Sequence, residues 1–167
     1  LRTLRTSINL STLNNDGVQR LLVTSSQSSE GKTSVALTLA SVMGQTSKVL
    51  LIDGDLRRPS LERILNEDHH KSRGLSDVIA QSSTIEEAIC RRDDAQIDIM
   101  FSGSSTLRPL ELLSSRQFAV LMDELGKRYD AIIIDSPPCV AVSDAYVLST
   151  HVDSVVYVTK YDQVAVP

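Results

Sequence analysis

Three stretches of this chain carry side chains whose types and spacing suit work on phosphate. Ser26-Gln27-Ser28-Ser29-Glu30-Gly31-Lys32-Thr33 ends in Gly-Lys-Thr, the close of a P-loop. In such a loop small residues let the backbone approach a phosphate, N–H groups and a helix start face the anion, and lysine reaches the outer phosphates. That makes Ser28, Ser29, Glu30, Gly31, Lys32, Thr33 and Ser34 the candidate nucleotide-binding residues. Asp53-Gly54-Asp55 sets two carboxylates two residues apart, which is costly unless a cation lies between them, and Mg²⁺ suits hard oxygen ligands. Asp135, just before Ser136-Pro137-Pro138, has the form of a Walker B aspartate. Thr33, Asp53, Asp55 and Asp135 are therefore the candidate ligands for Mg²⁺. Each stretch has an ordinary reading too: Asp and Gly are common turn residues, and Gly-Lys-Thr arises by chance. Three of them, each behind an apolar run, are hard to explain that way.

Those apolar runs are what must position the chemistry. Leu21 to Ser25, Val49 to Ile52 and Ala131 to Ile134 show no polar alternation, as expected of strands covered on both faces. A helix should follow the P-loop from Lys32 to about Gly44, burying Val35, Ala36, Leu39, Ala40 and Met43. Residues 59 to 96 read as helical and polar, with short helices over 59–65, 75–79 and 85–89. A strand over 97–101, a loop to Arg108 and a helix from Pro109 through Ser114 come next. Gln117 to Tyr129 is amphipathic, with Phe118, Leu121, Met122, Leu125 and Tyr129 on its apolar face. Ser143-Asp144 reads as the cap of a helix through Ser149, and Ser154 to Thr159 as the last strand. At the start, Leu1, Leu4 and Ile8 form a helical stripe, with Arg2 and Arg5 beside it. The alternation predicts an α/β fold: a mostly parallel sheet with helices on both faces and right-handed crossovers, P-loop NTPase-like. In an open sheet of this kind, ligands bind at the carboxyl ends of the strands.

A chain of 167 residues is long enough for one such domain with a full core. Its net charge of -4 argues against a nucleic-acid-binding face, which needs a basic patch. Cys90 and Cys139 stand far apart and suggest neither a disulfide framework nor a zinc site. His69 and His70 sit in a polar stretch without further ligands at metal spacing. The chain begins without Met and stops at Pro167 behind a strand, so it is expected to be cut from something longer.

With these motifs together, the chain resembles the cytoplasmic catalytic domain of the bacterial tyrosine autokinases, which drive capsule and exopolysaccharide assembly and export. Leu50-Leu51-Ile52-Asp53-Gly54-Asp55-Leu56-Arg57 resembles the Walker A′ signature of that family, and Ile132-Ile133-Ile134-Asp135-Ser136-Pro137-Pro138 its Walker B. Arg58-Pro59-Ser60-Leu61, Gly74-Leu75-Ser76-Asp77-Val78-Ile79, Glu111-Leu112-Leu113-Ser114-Ser115 and Asp144-Ala145 are similar as well. The resemblance implies a MinD-like topology, ATP and Mg²⁺ as cofactors, and a catalytic set of Lys32, Asp53 and Asp55, with Asp53 taking the proton of an incoming tyrosine. It implies a homo-oligomeric ring, with Arg2 and Arg5 at the subunit interface. It also implies a membrane-anchored activator domain, fused or separate, protein tyrosine as substrate, and a place at the bacterial inner membrane.

The chain departs from that pattern in places. Ser28-Ser29 stands where Pro-Gly is usual, and Ser60 or its neighbours where some members carry an activating tyrosine, while the tyrosine-rich tail is expected beyond Pro167. The final strand and helix of the fold are expected beyond Pro167. Tyr129, Tyr146, Tyr157 and Tyr161 read as structural. Arg57 reads equally as a ligand to phosphate or acid and as a solvated arginine. The competing assignment is a nucleotide-switched ATPase of the MinD/ParA type. Those proteins carry a second lysine early in the P-loop, where this chain has Gln27. A third is a degenerate nucleotide-binding module that only scaffolds a transporter.

Overall fold

Uniformly apolar strands need cover on both faces, and the sheet supplies it by alternation along each strand. The structure, a computed structural model, describes residues 18–65, 73–92 and 96–160. The element order is β1 (Gln19–Ser25), α1 (Lys32–Gly44), β2 (Val49–Asp53), α2 (Leu61–Leu65), α3 (Leu75–Ile79), α4 (Ile85–Ala88), β3 (Ile89–Arg92), β4 (Ile97–Met100), α5 (Pro109–Leu113), α6 (Arg116–Gly126), β5 (Ala131–Asp135), α7 (Asp144–Ser149) and β6 (Ser154–Val158). Among the described residues, six strands form one sheet in the order β3-β4-β2-β5-β1-β6. All pairings are parallel except β3 with β4.

Because successive strand residues point to opposite faces, each central strand feeds two cores. Leu50, Ile52, Ile132 and Ile134 pack with Leu75, Phe118, Leu121 and Leu125 on the side of α3 to α7. Val49, Leu51, Ala131 and Ile133 pack with Ala36, Leu39, Ala40 and Leu61 on the side of α1 and α2. Burying one such branched aliphatic side chain is worth roughly 1.5–3 kcal/mol. These central strands therefore anchor whatever their ends carry.

Most sequence boundaries hold to within two residues. The exceptions have local causes. Ile89 leaves the expected helix over 85–89 and opens β3, an antiparallel edge strand that the polar reading of 59–96 passes over. The first helix after Pro59 starts at Leu61, and Asp53 accepts the amides of Ser60 and Leu61, which have no acceptor within the helix. α6 ends at Gly126, before Tyr129. Ser143 stands ahead of α7 but makes no capping hydrogen bond through its side chain. The Leu1–Leu13 stripe, Arg2, Arg5, His69, His70 and Tyr161 lie outside the described residues.

Candidate functional site

Three strand ends meet at the centre of the sheet. β2, β5 and β1 are adjacent, and the register sets Asp53 opposite Asp135 and Asp135 opposite Val23. The turn after β2 is threaded tightly against β5. Gly54 donates its amide to the Asp135 carbonyl at 2.8 Å, and a Cβ at Gly54 would sit 2.8 Å from Ile134 Cγ2. Glycine between the two aspartates is thus a packing requirement.

The P-loop crosses the top of β1 and folds back through two left-handed residues, Ser29 at φ 66° and Gly31 at φ 91°. Alternating conformations of this kind turn successive amides into one concavity, the form that binds anions. Glu30 faces inward and ties the loop: its carboxylate accepts the Gln27 amide at 2.7 Å and the Ser26 hydroxyl at 2.9 Å. The Gln27 amide, more than any other group, holds its pKa below the usual carboxylate value. Its contribution is to loop shape, with the side chain turned away from the cleft.

A cleft of about 800 Å³ opens at these strand ends. Ser28, Ser29, Gly31, Lys32, Thr33 and Ser34 line one wall, Asp55 and Arg57 another, and Pro137 and Pro138 a third. Asp53 and Asp135 lie beneath it, each fully buried. Their surroundings differ. Asp53 accepts three backbone amides, from Asp55, Ser60 and Leu61, each at 3.2 Å. Among the described residues, neither oxygen of Asp135 has a hydrogen-bond partner. Burial pushes Asp53 up to about 7, with the Asp135 charge adding to the effect and the amides opposing it. Burial raises Asp135 to about 6, against the pull of Lys32 and of the nearby Thr33 hydroxyl. Asp55 is raised too, first by burial, while the Arg58 amide and then Lys32 hold it back.

The donor set fits Mg²⁺. A buried carboxylate without a donor costs on the order of 1–3 kcal/mol, and a cation beside it removes that cost. Among the described residues no three acidic, histidine or cysteine side chains gather into a full cage. This suits Mg²⁺, which keeps waters and phosphate oxygens among its ligands and takes only one or two from protein.

Two contacts have partners that the sequence does not name, although one of them bears out the reading of Arg57 as a ligand to acid. Arg57 is engaged by acid: its Nε and Nη2 donate to Asp144 at 2.7 and 3.0 Å, fixing the start of α7 to the turn after β2. Asp144 is fully buried, and this fork raises the Arg57 pKa. The Ser60 and Thr33 hydroxyls stand 3.0 Å apart, joining that turn to α1. Only the chain's course through space reveals these pairs, 87 and 27 residues apart. Of the tyrosines read as structural, Tyr129 is buried and donates to Asp98, whereas Tyr146 and Tyr157 are exposed.

A family model described as an AAA domain matches residues 7–167. The tyrosine-protein kinase YwqD of Bacillus subtilis is 35% identical over 94% of this chain and 65% of its own length. The tyrosine-protein kinase Wzc of Salmonella typhi is 36% identical over 96% of this chain and 22% of its own. Among solved structures, the kinase domain of the Escherichia coli tyrosine kinase ETK superimposes with a TM-score of 0.91, at 31% identity over 98% of this chain and 64% of that one. This chain belongs to the bacterial tyrosine-kinase family. It spans less than two thirds of the first two relatives. The septum site-determining protein MinD of Pyrococcus horikoshii, complexed with Mg-ADP, shares the fold at a TM-score of 0.71, with 26% identity over 85% of this chain and 58% of that one. Among the described residues, no helix is long and apolar enough to cross a membrane.

Proposed function

We propose that this chain is the catalytic domain of an ATP-dependent protein-tyrosine autokinase. It phosphorylates tyrosines on neighbouring subunits and thereby regulates capsular or exopolysaccharide polymerisation and export. The observation that carries this reading is the convergence of Lys32, Thr33 and Asp55 on one cleft, above the paired ends of β2 and β5, in a member of this family.

Phosphoryl transfer asks for positioning and charge neutralisation more than covalent chemistry. The amides of the Ser29–Thr33 turn hold the phosphates of ATP, and Lys32 offsets charge on the outer ones. Thr33 and Asp135 would hold Mg²⁺, which would supply charge neutralisation at the phosphates. Asp55 lines the cleft while both oxygens of Asp53 are engaged by amides, so Asp55 meets the incoming hydroxyl first. Its raised pKa makes it a stronger base than an ordinary aspartate. Asp53 holds the turn in place by its three amide contacts. The wider assignment rests on the resemblance: one kinase domain in a ring, Arg2 and Arg5 at the interface, and a membrane-anchored activator at the inner membrane.

Lys32→Met is the direct test. With Mg-ATP, phosphotyrosine forms on the wild type and is lost in the folded variant. Equal phosphotyrosine in both would remove Lys32 from the mechanism. Phosphate release from the wild type with no phosphotyrosine would favour the MinD-like switch.

A further inference from the structure

The phosphate machinery uses part of the cleft and leaves a charged wall unexplained. Arg58 and Arg63 line it on the far side of Asp55, both exposed. Arg57 is engaged by Asp144, but neither Arg58 nor Arg63 pairs its side chain with an acid among the described residues. The Arg58 amide donates to Asp55 Oδ1 at 2.9 Å, which fixes where its side chain leaves the backbone without occupying the guanidinium. Ile64, 42% exposed, stands beside them, and Pro137 and Pro138 line the same cleft. Two exposed guanidinium groups thus stand with the exposed Ile64 along one cleft, on a chain whose net charge is -4. A local excess of one sign against the whole-molecule charge steers and selects a partner of the other sign.

We infer that Arg58 and Arg63 form the acceptor-docking surface of the cleft, and that they select tyrosines flanked by Asp or Glu. The occupant is an extended acidic segment. Its aromatic ring lies against Ile64 and the Pro137-Pro138 turn, its hydroxyl points toward Asp55, and its flanking carboxylates meet the two arginines. This deepens the kinase reading and rests on it for the direction of the hydroxyl. The charge preference rests on the arginines alone.

The test uses this chain and two fluorescein-labelled peptides, Glu-Glu-Tyr-Glu-Glu and Lys-Lys-Tyr-Lys-Lys. Binding is followed by anisotropy with Mg-ADP present, phosphotyrosine with Mg-ATP, and nucleotide affinity separately. Exposed guanidinium–carboxylate pairs are individually weak, so the two together should make the acidic peptide bind the wild type about 10-fold more tightly than the basic one at low salt. Arg58→Glu/Arg63→Glu should reverse that order and leave nucleotide affinity within about 2-fold, since it removes a docking charge and no phosphate ligand. An unchanged peptide order in the variant overturns the inference, even where phosphotyrosine forms. A loss of nucleotide affinity matching the loss of peptide also overturns it, and assigns the arginines to the nucleotide. If the wild type prefers the acidic peptide but never phosphorylates it, the docking surface stands and the kinase reading falls.

Discussion

The ends of β2 and β5 lie side by side, carry the same residue type in register, and are equally buried, yet they do opposite things. Asp53 is saturated by three amides, while Asp135 has no hydrogen-bond donor among the described residues. The difference arises in the residues just beyond each strand. After β2 the chain makes a tight turn through Gly54 and returns its amides at Ser60 and Leu61 to the carboxylate. After β5 the next residues are Ser136 and two prolines, and prolines have no amide hydrogen to give. One aspartate therefore builds the turn that carries Asp55. The other meets no donor from the described residues.

Substituting each in turn gives the largest contrast. Asp135→Asn should cost about 100-fold or more in Mg-dependent phosphorylation, the usual scale for removing a group that stabilises transferring charge. It should also raise the melting temperature of the ligand-free protein at pH 8. Asp53→Asn should lower that melting temperature, since its amide nitrogen would face a backbone N–H, and a buried donor left unmet costs on the order of 1–3 kcal/mol. Two shifts of the same sign in thermal denaturation would erase the distinction between the strand ends.

Titration sharpens the same comparison. Asp53 and Asp135 have folded pKa values raised to about 7 and about 6, above the ordinary 3.8. Between pH 4 and those values the native state holds more protons than the unfolded one, so their contribution falls as pH rises and the penalty is complete above about pH 7. For Asp135 it amounts to at most ~3 kcal/mol, judged from the free energy carried by each unit of pKa. The stability difference between wild type and Asp135→Asn should thus widen from pH 4 to pH 7 and close when Mg-ADP is added. Denaturant melts at a series of pH values measure it, and a difference independent of pH would contradict it. The smallest effect lies across the cleft. Ser29→Gly relieves a left-handed φ that costs a side chain ~1–2 kcal/mol, and returns part of that through a freer unfolded chain. A rise of about a degree or two in melting temperature is expected; a fall would mean that the Ser29 side chain supports the loop.

The same physics decides how much of the molecule is legible in its sequence. Strands buried on both faces announce themselves as unbroken apolar runs, and β1, β2 and β5 can be placed from them with their acidic or phosphate-binding ends together. β3 escapes because Ile-Cys-Arg-Arg at a sheet edge is short, half-exposed and polar, with the composition of the helical stretch before it. The partners of Arg57 and Ser60 are not legible, since no local pattern records which distant residue a turn will meet. Nor is the contrast between Asp53 and Asp135, which depends on the return path of the chain and not on the residues themselves.

The hydroxyl contact between Thr33 and Ser60 gives the molecule a built-in spectroscopic reporter. Ser60 touches Thr33 through its side chain and Asp53 through its amide, so it feels the start of α1 and the acidic turn at once. A cation that drew on the Thr33 oxygen would reorient that hydroxyl proton and change the magnetic environment of the Ser60 amide. One ¹⁵N cross-peak, followed through a Mg-nucleotide titration, would then record occupancy of the cleft without a label at the site.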